Sequence, residues 1–288
     1  MDTVLLRRGL LVALLPLLGC GLSARQRDAV AEFSRATATL GETTSAELQR
    51  MRAKTIDMNE RRLALGKPAA GEPDHTDLDE NFDPATVIVR VQAAEAVQDY
   101  GALLLALVEA SEEKALEEAS ERFTQSVRRL AGDRRMSDEQ LEAVGKAVQA
   151  VGGLVVESKR ASAVKEIVGS SREQVARLLE LLEGDFDPGA NRLATQYLLT
   201  TERLLFAADG GLERGSSRPP LVEAMRLAME ERNRRDAILK PAAAAVGRMR
   251  AAHARLAEVL ESDDVSLEDV KAFGASVRGL ADAVRVLR

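Results

Sequence analysis

Ala102-Leu103-Leu104-Leu105-Ala106-Leu107-Val108 is apolar on every side of a helix. It lies inside a run, Pro84 to Ala131, that holds a three-four spacing through Val87, Val91, Ala94, Gln98, Gly101, Leu105, Val108, Leu116, Ala119, Phe123, Val127 and Leu130. Nearly two turns with no polar side belong in the middle of a bundle, buried all round. Asp83 before Pro84 is an N-cap followed by proline at the first helical position, where a missing amide hydrogen costs nothing. Read as one helix, the run is roughly 70 Å long, which predicts a rod. Glu112 to Glu121 within it is an acidic, solvated face.

The same spacing recurs on both sides. Upstream, Val30, Phe33, Thr37, Leu40, Thr44, Met51, Thr55, Met58 and Leu65 mark a helix from about Gln26 to Leu65, with a seam thinned by threonine that needs partners. Downstream, Ser137 and Gln140 form a capping box opening a third helix. Its seam runs through Leu141, Val144, Val148, Val151 and Val155, then Ile167, Val168, Val175, Leu178 and Leu182, and ends at Gly184. Asp187-Pro188 opens a short fourth helix to about Ala208, with Leu193, Tyr197, Leu198, Leu204 and Leu205 inward. A fifth runs from Pro219-Pro220 to about Leu260, and Pro241 within it predicts a kink. Ser266 caps a last helix, Leu267 to Leu287.

The expectation is therefore an all-α, elongated bundle of long antiparallel helices. Its main breaks are a loop at 66–83 and a link at 209–218. Ser137 to Gly145 echoes Ser266 to Gly274. A duplicated helical hairpin explains this, and so does the chance likeness of two capped, alanine-rich helices. Composition agrees with helices: aromatics are 3%, tryptophan is absent and no period-two alternation is sustained.

Arg7 and Arg8 precede the apolar run Gly9 to Leu18, too short to span a hydrocarbon core and patterned as a cleaved export signal. The residues that follow, Leu17-Leu18-Gly19-Cys20, resemble the lipobox of bacterial lipoproteins. That resemblance implies a signal peptide over residues 1–19 and cleavage before Cys20. It also implies a diacylglycerol thioether and an acylated amino group on Cys20, a lipidated tether over 20–25 and a folded domain over 26–288. Cys20 is the only cysteine, so no internal disulfide can form. Two or more acyl chains anchor stably. Gly21, where an aspartate would signal retention in enteric bacteria, implies the outer membrane with the domain facing the periplasm.

Loss of Asp2, Arg7 and Arg8 leaves 38 basic and 45 acidic residues, a net charge of about −7. Such a balance argues against nucleic acid as a partner. The expected partners are the membrane, through acyl chains on Cys20, and an envelope protein or a second copy of the chain.

Chemistry is sparse. Asp77, Asp79 and Asn81 alternate like the start of a calcium loop, with Asp83 next in the series. The pattern breaks at Phe82, where a glycine should turn the chain, and Ile88 offers no carboxylate at the twelfth position. These four are weak metal candidates, and no cofactor is expected. His75 and His253 lack companions at ligand spacing. Gly169-Ser170-Ser171 lacks the flanks of a nucleophile elbow, and a triad of His253 with a distant serine has no support. Arg128, Arg129, Arg134 and Arg135, and then Arg232, Arg234 and Arg235, read as a favoured helix end and a solvated face, or as phosphate-docking patches. The functional expectation is a non-catalytic helical interaction or spacer module. The alternative is a ligand-binding lipoprotein, holding a small molecule or lipid between helices near Tyr100, Tyr197, Phe206 and Phe273.

Overall fold

Ser23 and Gln26 bind each other's backbone: the Ser23 hydroxyl accepts from the Gln26 amide, and the Gln26 side chain accepts from the Ser23 amide. This capping box starts the first helix two residues earlier than expected. The computed structural model describes residues 21–65, 78–79, 82–110, 113–132, 157–186, 193–215 and 217–287. Among these the protein is all-α, with eight helices packed on one another and no strand. They are α1 (Ala24–Ala64), α2 (Pro84–Glu109), α3 (Glu113–Gly132), α4 (Glu157–Ser170), α5 (Arg172–Phe186), α6 (Leu193–Glu213), α7 (Arg218–Glu261) and α8 (Glu268–Val286). Cys20, the Ser137–Gln140 box, one arm of the Ser137/Ser266 echo and the Asp187-Pro188 start all lie outside the described residues.

The expected seam of α1 is buried from Val30 to Met58, threonines included. Its partners lie within the chain: α2, α7, α8 and α6 all pack on it. The α1–α2 contact is the closest. A Cβ on Gly41 would sit 2.5 Å from the Ala94 carbonyl, and one on Gly101 would sit 2.6 Å from the Ser34 carbonyl. Only glycine lets two helix backbones approach so far, and the two sites set α1 and α2 antiparallel.

The single long helix from Pro84 to Ala131 does not form. Ala110 takes an extended conformation and ends α2, and α3 folds back along it. The pairs Glu95–Arg129, Asp99–Ser126 and Tyr100–Phe123 place the two antiparallel. Folding back buries the stripe Leu116, Ala119, Phe123, Val127 and Leu130, which a straight rod would leave wet. Within Ala102–Val108 no side chain is exposed, though only Leu103, Leu104 and Leu107 are fully buried.

Two other boundaries also move. The third expected helix is divided at Ser171 into α4 and α5, and α5 runs past Gly184 to Phe186. Helix α6 continues through Gly210 and Gly211 to Glu213, because Gly211 is buried directly beneath Leu221. Gly215, at φ 73°, supplies the left-handed residue that turns the chain toward α7. Helix α7 passes Pro241 as one element of 44 residues, about 65 Å long. The carbonyl that Pro241 deprives of a donor belongs to Ala237, on the exposed side.

Helix α1 runs antiparallel to α7, with Gln26 on the Val259 carbonyl at one end and Arg61 facing Glu223 at the other. Ser23 and Arg25 also bind Asp263 and Val265 in the α7–α8 turn. The start of α1 with that turn makes the near end of the bundle. The end of α1 with the α6–α7 turn makes the far end.

Buried apolar side chains form two clusters along this axis. The larger holds Val30 to Leu40 of α1, Ala93 to Leu107 of α2 and Ile238 to Leu260 of α7, with α3, α4, α5 and α8 around them. The smaller, at the far end, holds Leu48, Met51 and Met58 of α1, Phe82, Val87, most of the inner face of α6, and Ala224, Leu227 and Ala228 of α7.

Candidate functional site

Between the two clusters lies a layer of buried charge. Glu47 of α1 and Glu231 of α7 are 6% and 5% exposed, and Arg234 is 7% exposed. Arg50 bonds Glu231 at 2.7 Å and Glu47 at 3.1 Å, while Arg234 bonds Glu47 at 2.8 Å and donates to the Leu287 carbonyl at 2.6 Å. The Tyr197 hydroxyl donates to Glu231 at 2.6 Å. At the same level Arg90 meets the buried Asp185 at 2.5 Å. Two arginines and two glutamates in the main network cancel, so the layer is neutral. Burial opposes the charge on Arg50, but the Tyr197 oxygen together with the Glu47 and Glu231 carboxylates outweighs it and holds its pKa above the ordinary value. Burial and the neighbouring Glu231 carboxylate push the Tyr197 phenol up.

Sequence reading missed this layer. The sequence offers Arg234 as part of a solvated face or a phosphate-docking patch, and in the structure it is enclosed between α1, α7 and the end of α8. The signal was in the spacing. The α1 seam steps from Thr44 to Met51, and the inward position between them includes Glu47. On α7 the buried series Leu221, Ala224, Leu227, Glu231, Arg234 and Ile238 carries charge where a leucine would be expected.

A second buried network joins Ser171, Tyr100 and His253. The Ser171 hydroxyl donates to the Tyr100 oxygen at 3.0 Å, and that oxygen is hydrogen-bonded to His253 Nε2 at 2.8 Å. His253 also stacks obliquely on Phe33, which touches Phe273. Burial, and then the nearby Arg172 guanidinium, push the His253 pKa down to about 4. Burial pushes the Tyr100 phenol up. His253 is thus brought together with a serine, but through tyrosine. The serine donates away from the imidazole, and all three groups are under 5% exposed, out of reach of a substrate.

The other sequence candidates scatter. Asp79 pairs with Arg52 at 2.7 Å, and Asp83 caps α2 by accepting the Thr86 amide at 3.0 Å, so both are already engaged. Asp77, Asn81 and His75 lie outside the described residues. No cluster of three potential metal ligands occurs among the described residues. Arg129 pairs with Glu95, Arg232 with Glu202 and Arg235 with Asp236, while Arg134 and Arg135 lie outside the description.

The four aromatics expected to flank a ligand do not meet. Tyr100 and Phe273 belong to the larger core, Tyr197 belongs to the smaller, and Phe206 is 81% exposed. An open groove of about 680 Å³ instead runs over the outer face of α1 beside α8, lined by Glu32, Arg35, Glu109, Gly274, Arg278 and Asp282 among others. Arg35 is paired with Glu109 and Asp282 with Arg285.

Exposed large apolar side chains are unevenly placed. Among the described residues, Ile88, Leu199, Phe206, Leu212, Val222 and Met229 belong to the far half, and the other two, Val286 and Leu287, sit at the level of the charged layer. Leu199 and Phe206 share the outer face of α6, as Val222 and Met229 share that of α7, each pair seven residues apart. The two helices are joined by Gly211 against Leu221 and by Glu202 with Arg232. None of these exposed residues lies on α1, whose seam is spent inside the molecule. No helix among the described residues is long and apolar enough to cross a membrane.

The fold and these features define an all-helical bundle with a buried charged layer and, among the described residues, exposed apolar side chains on the outer sides of α6 and α7. Compared with known protein families, characterised proteins and solved structures, the chain matches none.

Proposed function

We propose that this protein is a lipid-anchored envelope lipoprotein that works as a helical interaction module. It is held by acyl chains on Cys20 and meets an envelope protein, or a second copy of itself, through the outer face of α6 and α7. The observation that carries this reading is the concentration of exposed apolar side chains at the far end, led by Phe206. Side chains of that size left in water, on the outer sides of two neighbouring helices, are the usual mark of a protein contact. The leader supports the other half of the reading. Cys20 lies three residues before Ser23, so an anchor there would put the near end at the membrane and the apolar face some tens of ångströms away, on helices about 60 Å long. That separation suits a module that reaches from a membrane to a partner.

The test is in-cell photocrosslinking from position 206 or 229, with position 278 beside the groove as control. Adducts should form at the first two and not at the third. Those from position 206 should disappear when Val222 and Met229 are both changed to Asp, and an adduct of twice the chain's mass would identify self-association. Since Phe206 is exposed, Phe206→Asp should abolish the contact while leaving the thermal midpoint within about 2 °C of wild type. Cys20→Ser should move the protein from the membrane fraction to the soluble one. Retention in the membrane would refute the anchor, and equal crosslinking from all three positions would refute the docking face.

A further inference from the structure

We propose that the buried charged layer is an articulation, about which the far unit opens as a cooperative unit of its own while the near core stays folded. The far unit comprises the end of α1, α6 and the first half of α7. This inference stands whether or not the far face docks a partner.

Helices α1, α2 and α7 carry both apolar clusters and in each the clusters are separated at the same level, while α6 belongs to the smaller one apart from Ala194 at its start. On α1 the gap falls between Leu40 and Leu48, on α2 between Val87 and Ala93, and on α7 between Ala228 and Ile238. The gaps hold Glu47, Arg90, and Glu231 with Arg234, and their bonds run across the bundle rather than along it. Tyr197 adds α6 to the same layer through Glu231.

Such a layer is a natural fracture plane. Parting an apolar layer returns nothing to the protein, because hydrocarbon meets water unfavourably. Parting buried ion pairs returns the hydration that burial withheld, which offsets much of the lost attraction. The unit beyond the plane is also the weaker one, since its cluster has only twelve fully buried apolar members among the described residues. Small cores are correspondingly marginal. Cooperative opening of one part of a fold at a lower free energy than the whole is a general behaviour. Here the charged layer fixes where the opening stops.

Hydrogen exchange of the full chain, read by mass spectrometry in low urea, tests this. Peptides covering 193–213 and 218–230 should exchange through a shared opening about 100-fold more often than those covering 93–107 and 242–260. Glu231→Gln removes the anion shared by Arg50 and Tyr197 and should raise far-unit opening by a further factor on the order of 10 to 100, with the near core unchanged. Tyr197→Phe preserves the packed ring and should raise it by about 10-fold, which keeps the test readable if Glu231→Gln fails to fold. Replacing Glu47 and Arg234 together by leucine and methionine should bring the two sets of rates together. A single common opening for all four peptides in the wild type would overturn the proposal. So would equal acceleration of near and far peptides by either single variant.

Discussion

His253 is buried among Tyr100, Ser171 and Phe33, with Arg172 as the charged group that acts on it. Its pKa falls from 6.5 to about 4. As pH drops through that window the unfolded chain takes up a proton that the folded protein refuses, so stability is lost. The loss totals about 3 kcal/mol and levels off once the folded form is protonated as well. Urea midpoints measured from pH 7 to pH 4 should fall more steeply for the wild type than for His253→Gln; parallel curves would refute the assignment. Thr37, Thr44 and Thr55 make a different residue-scale case. Their hydroxyls are buried in the α1 seam without a hydrogen-bond partner among the described residues. An unmatched buried hydroxyl costs about 1–3 kcal/mol. Thr37→Val, which keeps the branched shape, should raise unfolding stability by about 1 kcal/mol in urea titration, and a lower stability would show that the hydroxyl is matched in solution.

Helices meet here by two kinds of surface. The α1–α2 contact is one of bare backbone, with Gly41 and Gly101 where any side chain would strike main-chain atoms. A backbone cannot move aside as a side-chain tip does. Gly101→Ala should therefore destabilise by about 3 kcal/mol, at the upper end of overpacking costs, and should weaken α1 and α2 together. A loss below about 0.5 kcal/mol, the level of an indifferent surface change, would mean that the helices are further apart than described. The α1–α7 contact is mixed, apolar at both ends and ionic in the middle. Its two antiparallel arginine–glutamate crossings set register more than they add net stability.

For the whole molecule, the same axis has an apolar core at one end, a charged layer, and a small core with a wet apolar face at the other. The end that opens most readily is the end that shows Phe206, Val222 and Met229. If that face binds a partner, binding and opening are coupled, and a partner that prefers the closed form must slow the far-unit exchange by the factor of its differential affinity. The groove over α1 lies on the near half and takes no part in this.

The helical class, the buried seam of α1, the Asp83 cap and the glycine at position 101 of the seam were all legible in the chain, because each depends on local spacing and backbone chemistry. The end of α2 at Ala110 was not. The three-four spacing continues across it, and spacing alone cannot distinguish a helix that runs on from one that folds back. Tertiary burial of Leu116 to Leu130 against α2 made that choice. The chain also carried glutamate and arginine at inward positions of α1 and α7, but charge on a sequence reads as solvated until its partner is located. Glu47 and Arg234 are 187 residues apart, and Tyr100 and His253 are 153 apart. Periodicity determined which faces turn inward. Only the packing of distant helices decided which polar groups would meet there, because a buried charge is tolerable solely where another segment supplies its counterpart.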